Sequence, residues 1–251
     1  MRVLLLGGTA EAGRIAAALA AAGIPAVYSY AGRTAAPKPQ PLPTRVGGFG
    51  GADGLADFLA AGGFSHLVDA THPFAAEISR NAVAAAGRAG VDLLAYERPA
   101  WTAGPGDDWT AVPNLAAAAA VLATGGTVFL AIGRQGLDAF AGLAGRRWLL
   151  RLVDPVERPP LENAAVVVDR GPFTVEGDRA LMRAHGVTLV VAKNAGGAAA
   201  EAKLVAARDL GIPVVMVERP VLPARTVVAT VGDLMARLGH PRAPGDAERG
   251  V

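Results

Sequence analysis

The residues with the plainest chemical use lie at the start of the chain. Val3 to Leu6 is a short apolar run that breaks at Gly7-Gly8 and restarts as a helical pattern from Thr9. Strand, glycine turn and helix N-terminus in that order present backbone N–H groups to a phosphate. Gly7 and Gly8 are adjacent and the third small residue is Ala12 or Gly13, so a strict G-x-G-x-x-G is absent. A plain βα turn uses the same glycines. The end of the next apolar run, Ile24 to Tyr30, narrows the choice. An NAD site carries an acid there to hold the ribose 2′-hydroxyl. This chain has Ser29-Tyr30-Ala31-Gly32-Arg33-Thr34, with a hydroxyl, a guanidinium and no carboxylate. That chemistry suits a 2′-phosphate and favours NADP over NAD. The plain alternative is a surface arginine on an ordinary loop.

Polar residues also collect where other apolar runs stop. Thr71-His72-Pro73 follows the run ending at Asp69, and Gly133-Arg134-Gln135 follows the one ending at Ile132. Arg170-Gly171-Pro172-Phe173, Lys193-Asn194-Ala195-Gly196-Gly197 and Glu218-Arg219-Pro220 close three more. In a parallel sheet, ligands gather at the C-terminal strand ends. Most of these ends carry a cation, so an acidic small molecule is the matching partner.

The elements that must position these groups alternate strand and helix. Strands are expected at Val3–Leu6, Ile24–Tyr30, His66–Asp69, Asp92–Tyr96, Thr127–Ile132, Leu149–Val153, Ala165–Asp169, Thr188–Ala192 and Pro213–Val217. Helices are expected from Thr9 to Gly23, at Ala52–Ala61, Phe74–Gly87, Leu115–Leu122, Gly136–Ala141, Thr174–His185 and Ala199–Leu210. A break rich in Gly, Pro and Asp begins at Arg98-Pro99 and reads as a domain boundary. The expected fold class is α/β: two Rossmann-like domains with mainly parallel sheets and a cleft between them, at 1–98 and 99–240, then a polar tail at 241–251.

Bulk composition agrees. The chain has 251 residues, 52% hydrophobic and 18% charged, which is globular and long enough for two such cores. Only three of its 24 basic residues are lysine, Lys38, Lys193 and Lys203, a bias that a GC-rich genome explains. The formal net charge of +2 is spread evenly, without the basic stripe of a nucleic-acid binder. No cysteine is present, so disulfides, thiolate nucleophiles and thiolate metal sites are excluded. The N-terminal apolar run is too short for a signal peptide, and Pro113, Asn114 and Gly125-Gly126 divide the uncharged stretch 109–133. No membrane span is expected, and a cytoplasmic location is.

Several blocks together resemble one family. Gly-Gly-Thr-Ala-Glu-Ala at 7–12, Ser-Tyr-Ala-Gly-Arg at 29–33 and Gly-Gly-Phe-Gly-Gly at 47–51 are followed by Asp-Ala-Thr-His-Pro-Phe-Ala at 69–75. Arg-Gly-Pro-Phe at 170–173 and Lys-Asn-x-Gly-Gly at 193–197 complete the set. In order and spacing, from residue 1 to about 239, this is similar to the precorrin-6A reductases of cobalamin biosynthesis. Ala195 departs from the pattern, which has serine there.

The resemblance implies that NADPH reduces a ring double bond of a carboxylate-rich tetrapyrrole, with no protein-held metal. It implies roles as well. Gly7, Gly8, Thr9, Ala10 and Glu11 line the pyrophosphate turn, Glu11 as a helix cap or ribose partner. Ser29 and Arg33 meet the 2′-phosphate, and Thr71 lies near the nicotinamide. Arg134, Arg151, Arg170, Lys193, Lys203 and Arg219 are candidates for the substrate's carboxylates. His72 and Lys193 are the catalytic candidates, His72 as proton donor, although a histidine before proline also bonds its own backbone. The expected partners are small molecules. Two alternatives stay open: a cobalt-loaded form of the same substrate, and a non-catalytic NADP-sensing regulator.

Overall fold

The computed structural model describes residues 1–32 and 38–239. Arg33 and the tail at 241–251 lie outside the described residues. The chain divides into two units, one built from residues 1–98 with those from 221 onward, the other from residues 99–220. The first contains β1 (Val3–Leu6), α1 (Ala10–Ala21), β2 (Ala26–Tyr30), β3 (Thr44–Val46), α2 (Gly51–Ala61), β4 (His66–Asp69), α3 (Ala76–Ala89) and β5 (Asp92–Tyr96). The second contains β6 (Trp109–Val112), α4 (Leu115–Ala120), β7 (Thr127–Ala131), β8 (Arg147–Leu152) and β9 (Ala164–Val168). It continues with α5 (Val175–Ala184), β10 (Leu189–Lys193), α6 (Ala202–Asp209) and β11 (Val214–Val217). Beyond Pro220 come β12 (Thr226–Val228) and α7 (Val231–Gly239). The helix expected at Gly136–Ala141 is a 3₁₀ turn, Leu137–Phe140.

Each sheet has six strands, in the orders β12-β5-β4-β1-β2-β3 and β6-β11-β10-β7-β8-β9, and the pairings are parallel throughout. In the first unit the chain builds outward from β1 through β2 and β3, then restarts on the other side with β4. The second unit repeats this from β7, restarting with β10. The order therefore reverses between β1 and β4 and between β7 and β10, and such reversals open the sheet edge to a ligand.

The sequence assigns residues 99–240 to one domain, and here the structure differs. β12 pairs with β5 of the first sheet, in the register Thr226↔Leu94 to Val228↔Tyr96. Glu97 N–H donates to Val228 O at 2.9 Å, and the Arg225 guanidinium pairs with Glu97. Val228, Leu234 and Leu238 are buried in one cluster with Val3, Leu5, Ile15 and Leu19. That apolar burial, about 1.5–3 kcal/mol for each large side chain, draws the segment into the first unit.

The sheets are covered on both faces, which is why β1 reads Val-Leu-Leu-Leu without alternation. Val3 and Leu5 pack with α1 and α7, while Leu4 and Leu6 pack with Leu55 and Leu59 of α2 and with Ala82 and Ala85 of α3. In the second unit Phe129, Leu149 and Val190 pack under Met182 of α5 and Leu204 of α6. On the other face, buried Trp148 meets Phe140 edge-on at 5.9 Å. Among the described residues, no helix is long and apolar enough to cross a membrane.

Candidate functional site

The first switch point is built around the glycine turn. Gly7 is there because of close approach: a Cβ on it would lie 2.1 Å from Cζ of Tyr28. Tyr28 is almost fully buried in β2, and its hydroxyl accepts the Gly8 N–H at 2.8 Å. Burial holds that phenol well above its ordinary pKa, so it stays a neutral hydroxyl. Gly8 takes a φ of +115°, which a side chain rarely adopts.

Thr9 caps α1 and does two jobs. Its Oγ1 accepts from Ala12 N–H at 3.1 Å and donates to Ala70 O at 2.9 Å. The second bond ties the end of β1 to the end of β4. The first-turn N–H groups of Ala10 and Glu11 have no intrahelical acceptor, so they are the donors this turn can offer an anion.

Glu11 has a buried carboxylate held by two guanidinium groups. Arg98 Nη1 lies 2.7 Å from Oε2, and Arg14 Nη2 lies 3.2 Å from Oε1. An acid in the first turn suits the helix dipole, and the two arginines balance its charge. Arg98, the last residue before the domain break, joins the candidate site through Glu11, and the sequence does not mark it.

Across the switch point, Thr71 is held by the end of β4. Its Oγ1 donates to Asp69 Oδ1 at 2.6 Å, and its N–H reaches the same oxygen at 3.1 Å. His72 is exposed, and its Nδ1 accepts Phe74 N–H at 3.2 Å. That bond makes Nε2 the proton-bearing nitrogen of the neutral ring.

At the end of β2, Ser29 is buried, and its hydroxyl accepts from Arg45 Nη1 at 2.9 Å. Arg45 stands opposite Ser29 in the β2–β3 register. The sequence shows it only as a cation just ahead of a glycine-rich stretch, with no pattern that marks it as a site residue.

The second unit repeats the arrangement with a cation. Lys193, the last residue of β10, donates from Nζ to Ile132 O at 2.9 Å and to Gln135 O at 3.4 Å, tying the end of β7 to the end of β10. Asn194 is buried and grips the backbone of Trp101, accepting its N–H at 2.8 Å and donating to its carbonyl at 3.1 Å. Arg219 donates to Asn194 O at 2.9 Å and to Ala195 O at 3.1 Å. A Cβ on Gly196 would lie 2.0 Å from Pro99 O, so only glycine fits there. Ala195 itself is buried.

The remaining cations divide. Arg134 is exposed after β7, and Arg170 is exposed after β9, with its guanidinium 3.7 Å from Asp154. Arg151, expected among the substrate clamps, instead faces inward. It shares a face of β8 with Leu149, beneath α5, and its Nη2 lies 2.8 Å from Asp178 Oδ1. The rings of Phe129 and Phe173 lie 4.9 and 4.0 Å from its guanidinium. Burial raises the Asp178 carboxyl above the usual range even with Arg151 beside it. Lys203 is also buried, with Nζ on Ala200 O and 4.8 Å from the centre of the Trp101 ring. Both side chains are buried and committed to partners within the second unit.

The similarities to known proteins fit this geometry. A family model described as precorrin-6x reductase CbiJ/CobK matches residues 2–239. A precorrin-6A reductase of Rhodobacter capsulatus is 57% identical over 252 residues, spanning 100% of this chain and 99% of that protein. A cobalt-precorrin-6A reductase of Priestia megaterium is 31% identical, spanning 94% of this chain and 97% of that one. A solved structure titled CobK precorrin-6A reductase superposes with a TM-score of 0.91 at 58% identity, covering 95% of this chain and 96% of its own.

Proposed function

The chain belongs to the precorrin-6x reductase family, and on that premise we propose that it reduces precorrin-6A in cobalamin biosynthesis with NADPH as the reductant. The observation that carries the reaction is the family match across residues 2–239, at 57% identity to a relative named for it. The cofactor rests on the β1–β4 switch point.

Three features of that switch point fit a dinucleotide. A Cβ built at Gly8 meets nothing within 4 Å among the described residues, so the turn has room there for a ligand. The N–H groups of Ala10 and Glu11 would take the pyrophosphate. Ser29, with Arg33 outside the described residues, would take the 2′-phosphate. NADPH, when bound, supplies a hydride to a ring carbon–carbon double bond of the tetrapyrrole.

The chain's own part is positioning and one proton. Thr71, fixed by Asp69, would orient the nicotinamide ribose. As an imidazolium, with the Phe74 bond at Nδ1 given up, His72 would donate from Nε2 the proton that the second carbon of the reduced bond needs, leaving a neutral ring. Arg134 and Arg170, exposed at strand ends, would pair with substrate carboxylates. Lys193 and Arg219 shape the loop after β10 through their carbonyl bonds and bring positive charge to it. We assign no substrate contact to Arg151 or Lys203, which are buried against Asp178 and Trp101.

The Priestia megaterium relative supports a second reading, in which the substrate carries cobalt. The higher identity to relatives named for precorrin-6A puts the metal-free substrate first. The test is NADPH consumption by the purified protein with precorrin-6A and, separately, with cobalt-precorrin-6A. Consumption with precorrin-6A supports the proposal. Turnover confined to the cobalt form would replace the substrate, and turnover with neither would overturn the reading.

A further inference from the structure

We propose that Arg45 is a specificity-determining residue, which together with Ser29 selects a dinucleotide bearing a phosphate on the 2′ position of its adenosine ribose. The inference rests on the NADPH reading above and names a residue of that site which neither motif nor family resemblance supplies.

Placement comes first. In a sheet of this order, the adenosine ribose lies at the C-terminal end of the strand next to the glycine-turn strand. That strand is β2. Its outer neighbour is β3, where Arg45 stands level with Ser29. Gly32, on the loop leaving β2, lies against this end of β3: its Cβ would be 3.8 Å from Gly47 Cα.

Preorganisation comes second. Arg45 Nη1 donates to Ser29 Oγ and to Gly47 O, and Nη2 donates to Gly48 O, each at 2.9 Å. The guanidinium carbon lies over Phe49, 3.9 Å from the ring centre, with the Phe58 centre at 5.1 Å. A side chain held this way loses little freedom on meeting a ligand. Of its five N–H donors, Nε–H and one on Nη2 have no acceptor among the described residues. Those are donors of the kind that take phosphate oxygens.

Charge comes third. Several arginines of this unit are balanced by acids: Arg14 and Arg98 by Glu11, Arg88 by Asp53, and Arg225 by Glu97. Arg45 is half-buried, and all its partners among the described residues are neutral oxygens and aromatic rings. Burial pulls it toward the neutral form, and no acid among the described residues pairs with it. A partly desolvated cation without a counter-ion is unfavourable alone, and a phosphate dianion is the group that would complete it. The buried Ser29 hydroxyl adds a donor once it turns toward the same anion.

The test is equilibrium binding, which needs no turnover. Affinities of NADPH, NADH, 2′,5′-ADP and 5′-AMP are measured for the wild type, Arg45→Met and Arg45→Lys. The wild type should prefer each 2′-phosphorylated ligand over its partner. Arg45→Met should weaken the two phosphorylated ligands about 10- to 100-fold, as loss of a charge-assisted contact does, and leave the other two nearly unchanged. Arg45→Lys, which retains the charge without the planar fork, should fall between and decides the matter if the methionine variant does not fold. An unchanged preference in a folded variant would overturn the role of Arg45 while leaving NADPH as cofactor. Equal weakening of all four ligands would make Arg45 a structural residue only. No preference in the wild type would instead overturn the NADPH reading itself.

Discussion

Replacing Arg98 with alanine tests whether the acid beside the glycine turn depends on a partner. Glu11 is 6% exposed, and its carboxylate is shared between Arg98 at 2.7 Å and Arg14 at 3.2 Å. The Arg14 side chain is 62% exposed, that of Arg98 only 16%. An exposed pair contributes about 0–1 kcal/mol, whereas breaking a buried pair by removing one partner costs about 3–5 kcal/mol. With Arg14 still in place, the expected loss from Arg98→Ala is about 2–4 kcal/mol. At about 3 °C per kcal/mol for a protein of this size, the melting temperature should fall by roughly 6–12 °C. Cofactor affinity should fall as well, by about tenfold, because a carboxylate balanced only by the exposed Arg14 then faces the phosphates at the N-terminus of α1. The assay is thermal unfolding and NADPH titration of Arg98→Ala, Glu11→Gln and the double variant. If Arg98 works by neutralising Glu11, the double variant regains most of both losses, since the amide carries no charge. A double variant that binds NADPH as weakly as Arg98→Ala would refute this reasoning.

Three further outcomes follow from the packing. Gly7→Ala, which sets a methyl 2.1 Å from a fully buried Tyr28 ring, should cost about 1–3 kcal/mol or more and weaken NADPH binding with it. Gly8→Ala meets no atom and should lose only the strain of its φ, about 1–2 kcal/mol, so the first variant must melt lower than the second. Arg151→Met alone should destabilise by about 3–5 kcal/mol by orphaning Asp178, while Arg151→Met with Asp178→Leu should recover most of it in urea unfolding. His66 is buried, and burial lowers its pKa below the ordinary 6.5. The unfolded chain therefore binds its proton first, and the contribution is complete above about pH 6.5 and lost as pH falls toward the folded value. His66→Gln should flatten that part of the stability–pH profile.

How far the sequence shows this fold depends on how each element is stabilised. The central strands are legible because both faces are buried, which makes Val3–Leu6 and His66–Asp69 continuous apolar runs. β3, β6 and β12 are edge strands of three or four residues, half exposed, and their apolar content does not separate them from loop. α7 is different: Val231, Leu234, Met235 and Leu238 recur at helical spacing, so the helix can be read, but nothing local says which sheet it covers. That is decided by the pairing of β12 with a strand about 130 residues earlier.

The site follows the same division. The glycine turn and the Thr71–His72 corner are local, and sequence order alone brings them to strand ends. Arg151 faces inward because strand alternation puts it beside Leu149, and only the packing of α5 supplies Asp178 as its partner. Arg45 and Arg98 have meaning only once β3 lies beside β2 and the end of β5 lies near α1. Neither contact leaves a periodic trace in the chain.

The most direct test of the central claim follows one atom. The protein is supplied with precorrin-6A and NADPH deuterated at the nicotinamide carbon that donates hydride, and the product is weighed by mass spectrometry. The account predicts one deuterium in the reduced tetrapyrrole, with the second hydrogen taken from solvent. A reduced product that carries no cofactor deuterium from either face of the nicotinamide would contradict it.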